Sequence, residues 1–251
     1  MSTAKPKIGA EFLRLTQHAF LSPSAQQCGK PTPPLTIMTC APDAQRIPLP
    51  SPQGAESKAM DFLTLATQRE SVREYAPTPI SLSELSYLLW CSQGVKKTLD
   101  KSATLRTVPS AGARHALETI LLVNRVAELA PGLYQYLALE HALAAQRNDR
   151  GLGRAICRAC LGQDFVEECA IFFIWLAVPY RMTWRYGERG YRYLFLDAGH
   201  ACQNLYLAAE SIGCGCCAVA AYDDEEMNRL TAADGENTFV IYAAAVGKKR
   251  A

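Results

Sequence analysis

The chain has 251 residues, of which 49% are hydrophobic and 20% charged, with a formal net charge of +2. That length suffices for one large core or two modest ones, and the near-neutral balance argues against a polyanion-binding surface, so no nucleic-acid partner is expected. The longest apolar stretch, Cys169 to Pro179, is about half of what crosses a bilayer, and the first thirty residues hold Lys5, Lys7, Glu11 and Arg14 without a sustained apolar run; neither a membrane partner nor a signal peptide is expected.

Residues 1 to about 58 differ in texture from the rest. Most of the 14 prolines fall here (Pro6, Pro23, Pro31, Pro33, Pro34, Pro42, Pro48, Pro50, with Pro52 at once after). Such sequence favours extended backbone and builds no core of its own. Its apolar beads, among them Ile8, Phe12, Leu13, Leu35, Ile37 and Ile47, predict an arm that packs on something, with a partner subunit the natural candidate. From residue 59 to 251 a folded domain is expected. Asp61 to Glu70 reads as a short helix with Phe62, Leu65 and Ala66 on one face. Ser81-Leu82-Ser83-Glu84 is a capping box, followed by Leu85, Leu88 and Leu89 at helical spacing.

Glu118 to Val123 is a predicted strand, and Gly132 to Leu137 alternates as a half-exposed strand should. Short helices are expected over Gly153–Leu161 and Asp164–Glu168. Ala170 to Val178 is apolar on both faces and so reads as a central strand. Tyr191 to Ile212 reads as a long helix, apolar nearly all round and stopped by Gly213. A strand over Cys216–Ala221, a helix over Asp223–Leu230 and a last strand over Thr238–Val246 complete the chain. Helices and strands mix without strict alternation, which predicts an α+β fold with helices on both sides of one sheet.

No G-x-G-x-x-G follows a strand, so no stored dinucleotide is expected; no Walker-type loop and no H-E-x-x-H is present. Ten cysteines are not spaced as a secreted disulfide framework, and they read as thiols in a reducing cytoplasm. Cys157-x-x-Cys160 has ligand spacing, and Cys214, Cys216 and Cys217 could extend it. The first pair lies on a predicted helix and the later group runs into a strand that must pack, so small core hydrophobes are the preferred reading and no metal is expected.

Four segments suit a phosphorylated planar cofactor. Arg69-x-Ser71-x-Arg73 leaves a helix for extended chain, where alternate residues point the same way. Two guanidinium forks then flank a hydroxyl, a set that binds phosphate well. Pro109-Ser110-Ala111-Gly112-Ala113 offers small side chains past which backbone amides can approach a flat ligand. Gly213 to Gly215, running through Ala220 and Ala221, is again small beside a strand end. Lys248-Lys249-Arg250 follows the last strand.

Taken together these segments resemble the nitroreductase superfamily. The finer pattern is similar to its SagB/ThcOx-type dehydrogenase branch, in Leu85–Trp90 with Gln93-Gly94-Val95, Arg106–Ala113, Pro131–Tyr134, Arg185–Arg192, and Asp197–His200 with Gln203-Asn204-Leu205. The resemblance runs from about residue 60 to the end. It implies a nitroreductase fold with a central mixed sheet, an intertwined homodimer, and FMN sites built between subunits. On that resemblance Arg69 and Ser71 would hold phosphate and ribityl, and Arg73 would approach the pyrimidine edge. Pro109, Ser110, Ala111 and Gly112 would reach the flavin from the other subunit, the Ala220–Ala221 backbone would donate to the ring, and Lys248 and Arg250 would reach the phosphate. Where many members carry Asn, this chain has Ala113. The implied activity is hydride transfer between NAD(P)H, a transient visitor, and a small-molecule acceptor, with no side chain assigned as catalytic; Tyr180, Tyr186 and Tyr191 are possible proton donors that more simply pack. Two alternatives are an azoline dehydrogenase acting on modified peptides and a non-catalytic flavin- or metal-binding protein.

Overall fold

Side chains at the helix starts do what their spacing predicts. Ser81 accepts from the Glu84 amide while Glu84 accepts from the Ser81 amide, closing the capping box. Asp61 and Asp223 cap two further helices through Thr64 N and Glu226 N. The computed structural model describes residues 7–39, 41–57, 60–99 and 103–250. The expected boundary at residues 58 and 59 lies outside them.

In chain order the elements are α1 (Ile8–Leu15), β1 (Arg46–Pro48), α2 (Phe62–Gln68), α3 (Leu82–Gln93), β2 (Val95–Leu99), β3 (Ala103–Arg106), β4 (Leu117–Val123), β5 (Gly132–Leu137) and β6 (Ala142–Arg147). Then follow α4 (Leu152–Ala159), α5 (Phe165–Glu168), β7 (Ile171–Ala177), α6 (Pro179–Tyr186), α7 (Gly190–Ser211), β8 (Cys214–Val219), α8 (Asp224–Thr231) and β9 (Phe239–Lys248). Seven strands form one sheet in the order β1-β6-β5-β4-β7-β9-β8, and β2 pairs with β3 in a separate hairpin. Every named pair is antiparallel; among the described residues the parallel component of the expected mixed sheet is confined to the Ser71–Cys216 and Ile80–Val126 bridges. The fold is α+β, as expected.

β7 lies between β4 and β9, and all its residues are fully buried. Its period of two divides the core. Ile171, Phe173, Trp175 and Ala177 face a cluster with α3 and α7, whereas Phe172, Ile174 and Leu176 face one with α4, α5 and α8. Each large side chain so buried contributes roughly 1.5–3 kcal/mol before entropy costs.

β5 forms as predicted, but it is buried along its whole length rather than half-exposed. The arm is the reason. Gln135, on the face shared with Ile120, donates to Ile37 O (2.6 Å) and accepts from Thr39 N (2.8 Å). Glu118 accepts from Ile37 N (2.8 Å), and Arg181, paired with Glu118, donates to Pro34 O (2.9 Å). Polar side chains that alternation would assign to solvent are thus capped by extended arm backbone. The hairpin β2–β3, strand β6 and helix α6 were not anticipated. Among the described residues no helix is long and apolar enough to cross a membrane.

Candidate functional site

The chain leaves α2 at Arg69, its C-cap, and crosses the sheet edge beside β8. Two glycines make room for the crossing. A Cβ on Gly215 would stand 2.5 Å from Val72 Cβ, and one on Gly247 would stand 2.7 Å from the Tyr75 ring; Gly215 and Gly247 are register partners on β8 and β9. Val72 and Tyr75 sink onto this bare strip, and Ser71, Arg73 and Glu74 between and beside them are exposed.

Tyr206, on α7, gathers the outward set. Its hydroxyl accepts from Ala218 N (2.7 Å) and lies 3.1 Å from Ser71 Oγ, while the Arg69 guanidinium sits 5.5 Å from its ring centroid. Burial raises the Tyr206 hydroxyl's pKa, against its bonds to Ser71 and Ala218. Arg73 faces Cys217, where its charge partly offsets the rise that burial gives that thiol. Neither Arg69 nor Arg73 makes an ion pair among the described residues. β8 leads on to Ala220 and Ala221, both exposed, with Ala221 O accepting from Gln163 (2.9 Å). Two unneutralised guanidinium groups, a hydroxyl and a strand exit therefore share one surface, and this donor set fits a phosphate and its polar tether. A cleft of about 350 Å³ opens one turn away, lined by Leu65, Tyr87, Trp90, Cys91 and Asn204 among others.

The basic end is less available. Lys248 is ion-paired with Glu84 of α3, and Arg250 with Glu74 (3.0 Å) while donating to Tyr75 O (3.2 Å). Lys249 takes both oxygens of Glu210 (2.8 Å each).

The loop Pro109–Ala113 stands apart from this surface. Asp197 of α7 accepts from Ala111 N (3.2 Å), and Ser110 Oγ accepts from His115 N (2.9 Å). Asp197 is 5% exposed, its Oδ2 has no partner among the described residues, and burial raises its pKa. Gly112 has φ +58°, and a Cβ there would overlap the Tyr186 hydroxyl. Asp197 and Tyr206 lie on the same helix, but nine positions advance an α-helix by about 13 Å and turn it to its opposite side. One chain does not bring the loop and the Arg69–Arg73 surface together.

Sequence reasoning missed Tyr206 as an organiser and gave Asp197 no role. Neither stands beside the motif it serves, and only the phase of α7 connects them. Of the candidate tyrosines, Tyr180 is half-exposed, Tyr186 packs edge-on against Tyr193 (4.9 Å), and Tyr191 is partly buried with its pKa raised by burial.

The nitroreductase family model matches residues 66–248. A Methanocaldococcus jannaschii protein assigned to the nitroreductases is 36% identical over 189 residues, covering 75% of this chain and 90% of that protein. The trifolitoxin-processing protein TfxB of Rhizobium leguminosarum bv. trifolii is 31% identical over 150 residues, 56% of this chain and 40% of that protein. Among solved structures, one assigned to the nitroreductases from Anabaena variabilis superposes with TM-score 0.69 at 26% identity, covering 83% of this chain and 42% of that one. The E. coli microcin synthetase McbBCD complex, solved with truncated pro-MccB17 bound, contains a chain at TM-score 0.61 and 18% identity (97% and 92% covered). The NADPH:FMN oxidoreductase of Vibrio harveyi complexed with NAD+ gives 0.52 at 14% identity (75% and 69%).

Proposed function

The chain belongs to the nitroreductase family, and from that premise we propose that it is a homodimeric, FMN-dependent oxidoreductase transferring hydride between NAD(P)H and a small organic acceptor. The observation that carries the reading is the surface of Arg69, Ser71 and Arg73, two guanidinium groups without carboxylate partners among the described residues, beside an exposed hydroxyl. Arg69 and Ser71 hold the phosphate and ribityl chain, and Arg73 supplies a cation at the pyrimidine edge. Ala220 and Ala221 offer backbone amides. Arg250, whose ion pair with Glu74 is exposed, can add a phosphate contact; Lys248 must first leave Glu84. When bound, FMN supplies the two-electron hydride chemistry that no side chain here offers.

The loop Pro109–Gly112 serves the site of a second copy, since within one chain it faces away. Exposed apolar side chains support that assembly: Phe62 and Leu63 on α2 and Phe195 and Leu196 on α7 are all more than half exposed. Residues 1–58 are the arm and 59–251 the catalytic domain, in keeping with a family match that begins at residue 66. The apolar face of α1, including Ile8 and Leu13, is exposed and free to pack on a partner. The nine described cysteines carry free thiols, seven of them buried, which suits a reducing cytoplasm.

The purified protein should be yellow, with one FMN per chain released on denaturation and identified by mass. A colourless protein that takes up no FMN on reconstitution overturns the reading. The matches to TfxB and to the microcin synthetase chain support the SagB/ThcOx-type branch and favour a second reading, oxidation of azoline rings in a modified peptide. Incubating the FMN-loaded protein with an azoline-bearing peptide tests it, through loss of H2 by mass.

A further inference from the structure

A cleft of about 420 Å³ lies between the arm and the end of α6. One wall is arm, from His18 to Gln27; the other is Arg185, Tyr186 and Arg189. None of its lining residues is acidic. Arg189 is half-buried and fixed, its Nε donating to Tyr193 OH (2.7 Å) and Nη1 to Thr16 O (2.9 Å), and Nη2 has no partner among the described residues. Arg185 makes no ion pair among them either. It lies over Tyr186 (5.7 Å to the ring centroid) and close enough to Arg114 for the two charges to oppose each other. Glu188, the nearest acid in sequence, sits beside Tyr191 instead.

Two arginines and a histidine therefore share a partly enclosed cleft with no internal counter-ion. Low-dielectric walls focus such a field, and guanidinium forks match the geometry of carboxylate and phosphate oxygens. The cleft also has a defined neighbour. A Cβ on Gly112 would stand 2.9 Å from Arg185 Nε, so the cationic wall begins where the Pro109–Ala113 loop ends.

We propose that this cleft is a binding site for an oxyanion, carboxylate or phosphate, held by Arg185 and Arg189 with His18 at the rim. On the flavin reading above, the anion is carried by the second substrate, which would make this chain selective for acidic acceptors; the anion site itself does not depend on that reading.

The test titrates the full-length protein with inorganic phosphate and, separately, with benzoate. It follows the His18 imidazole proton by NMR, assigned through His18→Gln. A saturable His18 shift is expected with at least one anion, and the tighter of the two identifies the group. Arg185→Gln should weaken binding about tenfold, the loss of one charge-assisted contact, with an unchanged melting temperature. Ser22→Asp, which places a carboxylate in the cleft and leaves both arginines intact, should abolish the shift even if Arg185→Gln folds poorly. Arg69→Ala should leave it in place. No saturable shift with either anion, or loss of the shift in Arg69→Ala alone, overturns the proposal. A wild-type protein that shows the shift yet takes up no FMN overturns only the flavin reading.

Discussion

His115 sits in a setting far from its ordinary chemistry. Burial first, then the charge of Arg106, with Arg114 and Arg181 nearby, pulls its pKa down to about 3. The folded state therefore keeps the imidazole neutral while the unfolded chain protonates near 6.5. Above about pH 6.5 neither state carries the proton and this group contributes no pH dependence. Below it the unfolded chain binds a proton that the fold refuses, so stability falls by up to about 1.4 kcal/mol per pH unit until the folded value is reached. His115→Gln should flatten the denaturation midpoint between pH 6.5 and 4 relative to wild type; parallel profiles would show that His115 titrates normally. Two residues earlier, Ala113 holds φ +53°, a left-handed conformation that asparagine tolerates better than alanine. Ala113→Asn should raise stability by roughly 0.5–1 kcal/mol. An unchanged or lower urea midpoint would mean the loop does not hold that conformation. At this scale the sequence was informative where chemistry is contiguous: Arg69, Ser71 and Arg73 lie two apart on extended chain and do face one surface. Tyr206 and Asp197 were illegible because each reaches the predicted motif it serves, at Ser71 or Ala111, across more than eighty positions.

Elements defined by periodicity or caps were legible, and those defined by what covers them were not. The capping box, the apolar strand β7 and the long helix α7, which stops just before Gly213, form where pattern placed them. Helix α6 was missed because it starts at Pro179 directly after a strand, so no turn residues separate the two, and its buried Arg181 reads as surface. The burial of β5 was missed because alternation marks the face of Gln135 as polar, which is true, while the arm supplies that face with partners. The segment 71–76 is held differently, by shape: Val72 and Tyr75 fill the strip left bare by Gly215 and Gly247. Gly247→Ala puts a methyl into the Tyr75 ring, and the ring must move. Because Ser71 and Arg73 ride on the same segment, FMN affinity should fall about tenfold or more, the equivalent of one charge-assisted contact. The stability loss should stay within the roughly 1–3 kcal/mol typical of overpacking. Equilibrium binding and urea denaturation measured on the same preparation separate the two, and unchanged affinity would show that the segment is positioned by something other than this packing.

At the scale of the whole molecule, helix α7 decides how the proposed site is assembled. Tyr206 organises the Arg69–Arg73 surface on one side of it, and Asp197 holds the Pro109–Ala113 loop on the other. Apolar side chains stay exposed on the same helix at Phe195 and Leu196 and on α2 at Phe62 and Leu63. A two-fold pairing that covers these surfaces would carry the loop of each chain to the Arg69 surface of its partner, because an isologous interface exchanges the same contacts in both directions. Complementation tests this. Arg69→Ala removes a phosphate contact and should cost roughly 1.5–3 kcal/mol, about ten- to a hundred-fold in FMN affinity. Gly112→Val places a branched side chain at φ +58°, against Tyr186 and Arg185, and should spoil the loop instead. Each variant alone is impaired at both of its sites. After the two are unfolded together and refolded in equal amounts, half of the dimers should be mixed, and in each of those one site pairs a native Arg69 with a native loop, so about a quarter of all sites recover wild-type affinity. If the loop serves the Arg69 surface of its own chain, every site in the mixture carries one lesion and mixing restores nothing. A biphasic FMN titration with a tight phase near that fraction is the expected result, and a single weak phase would exclude the shared site.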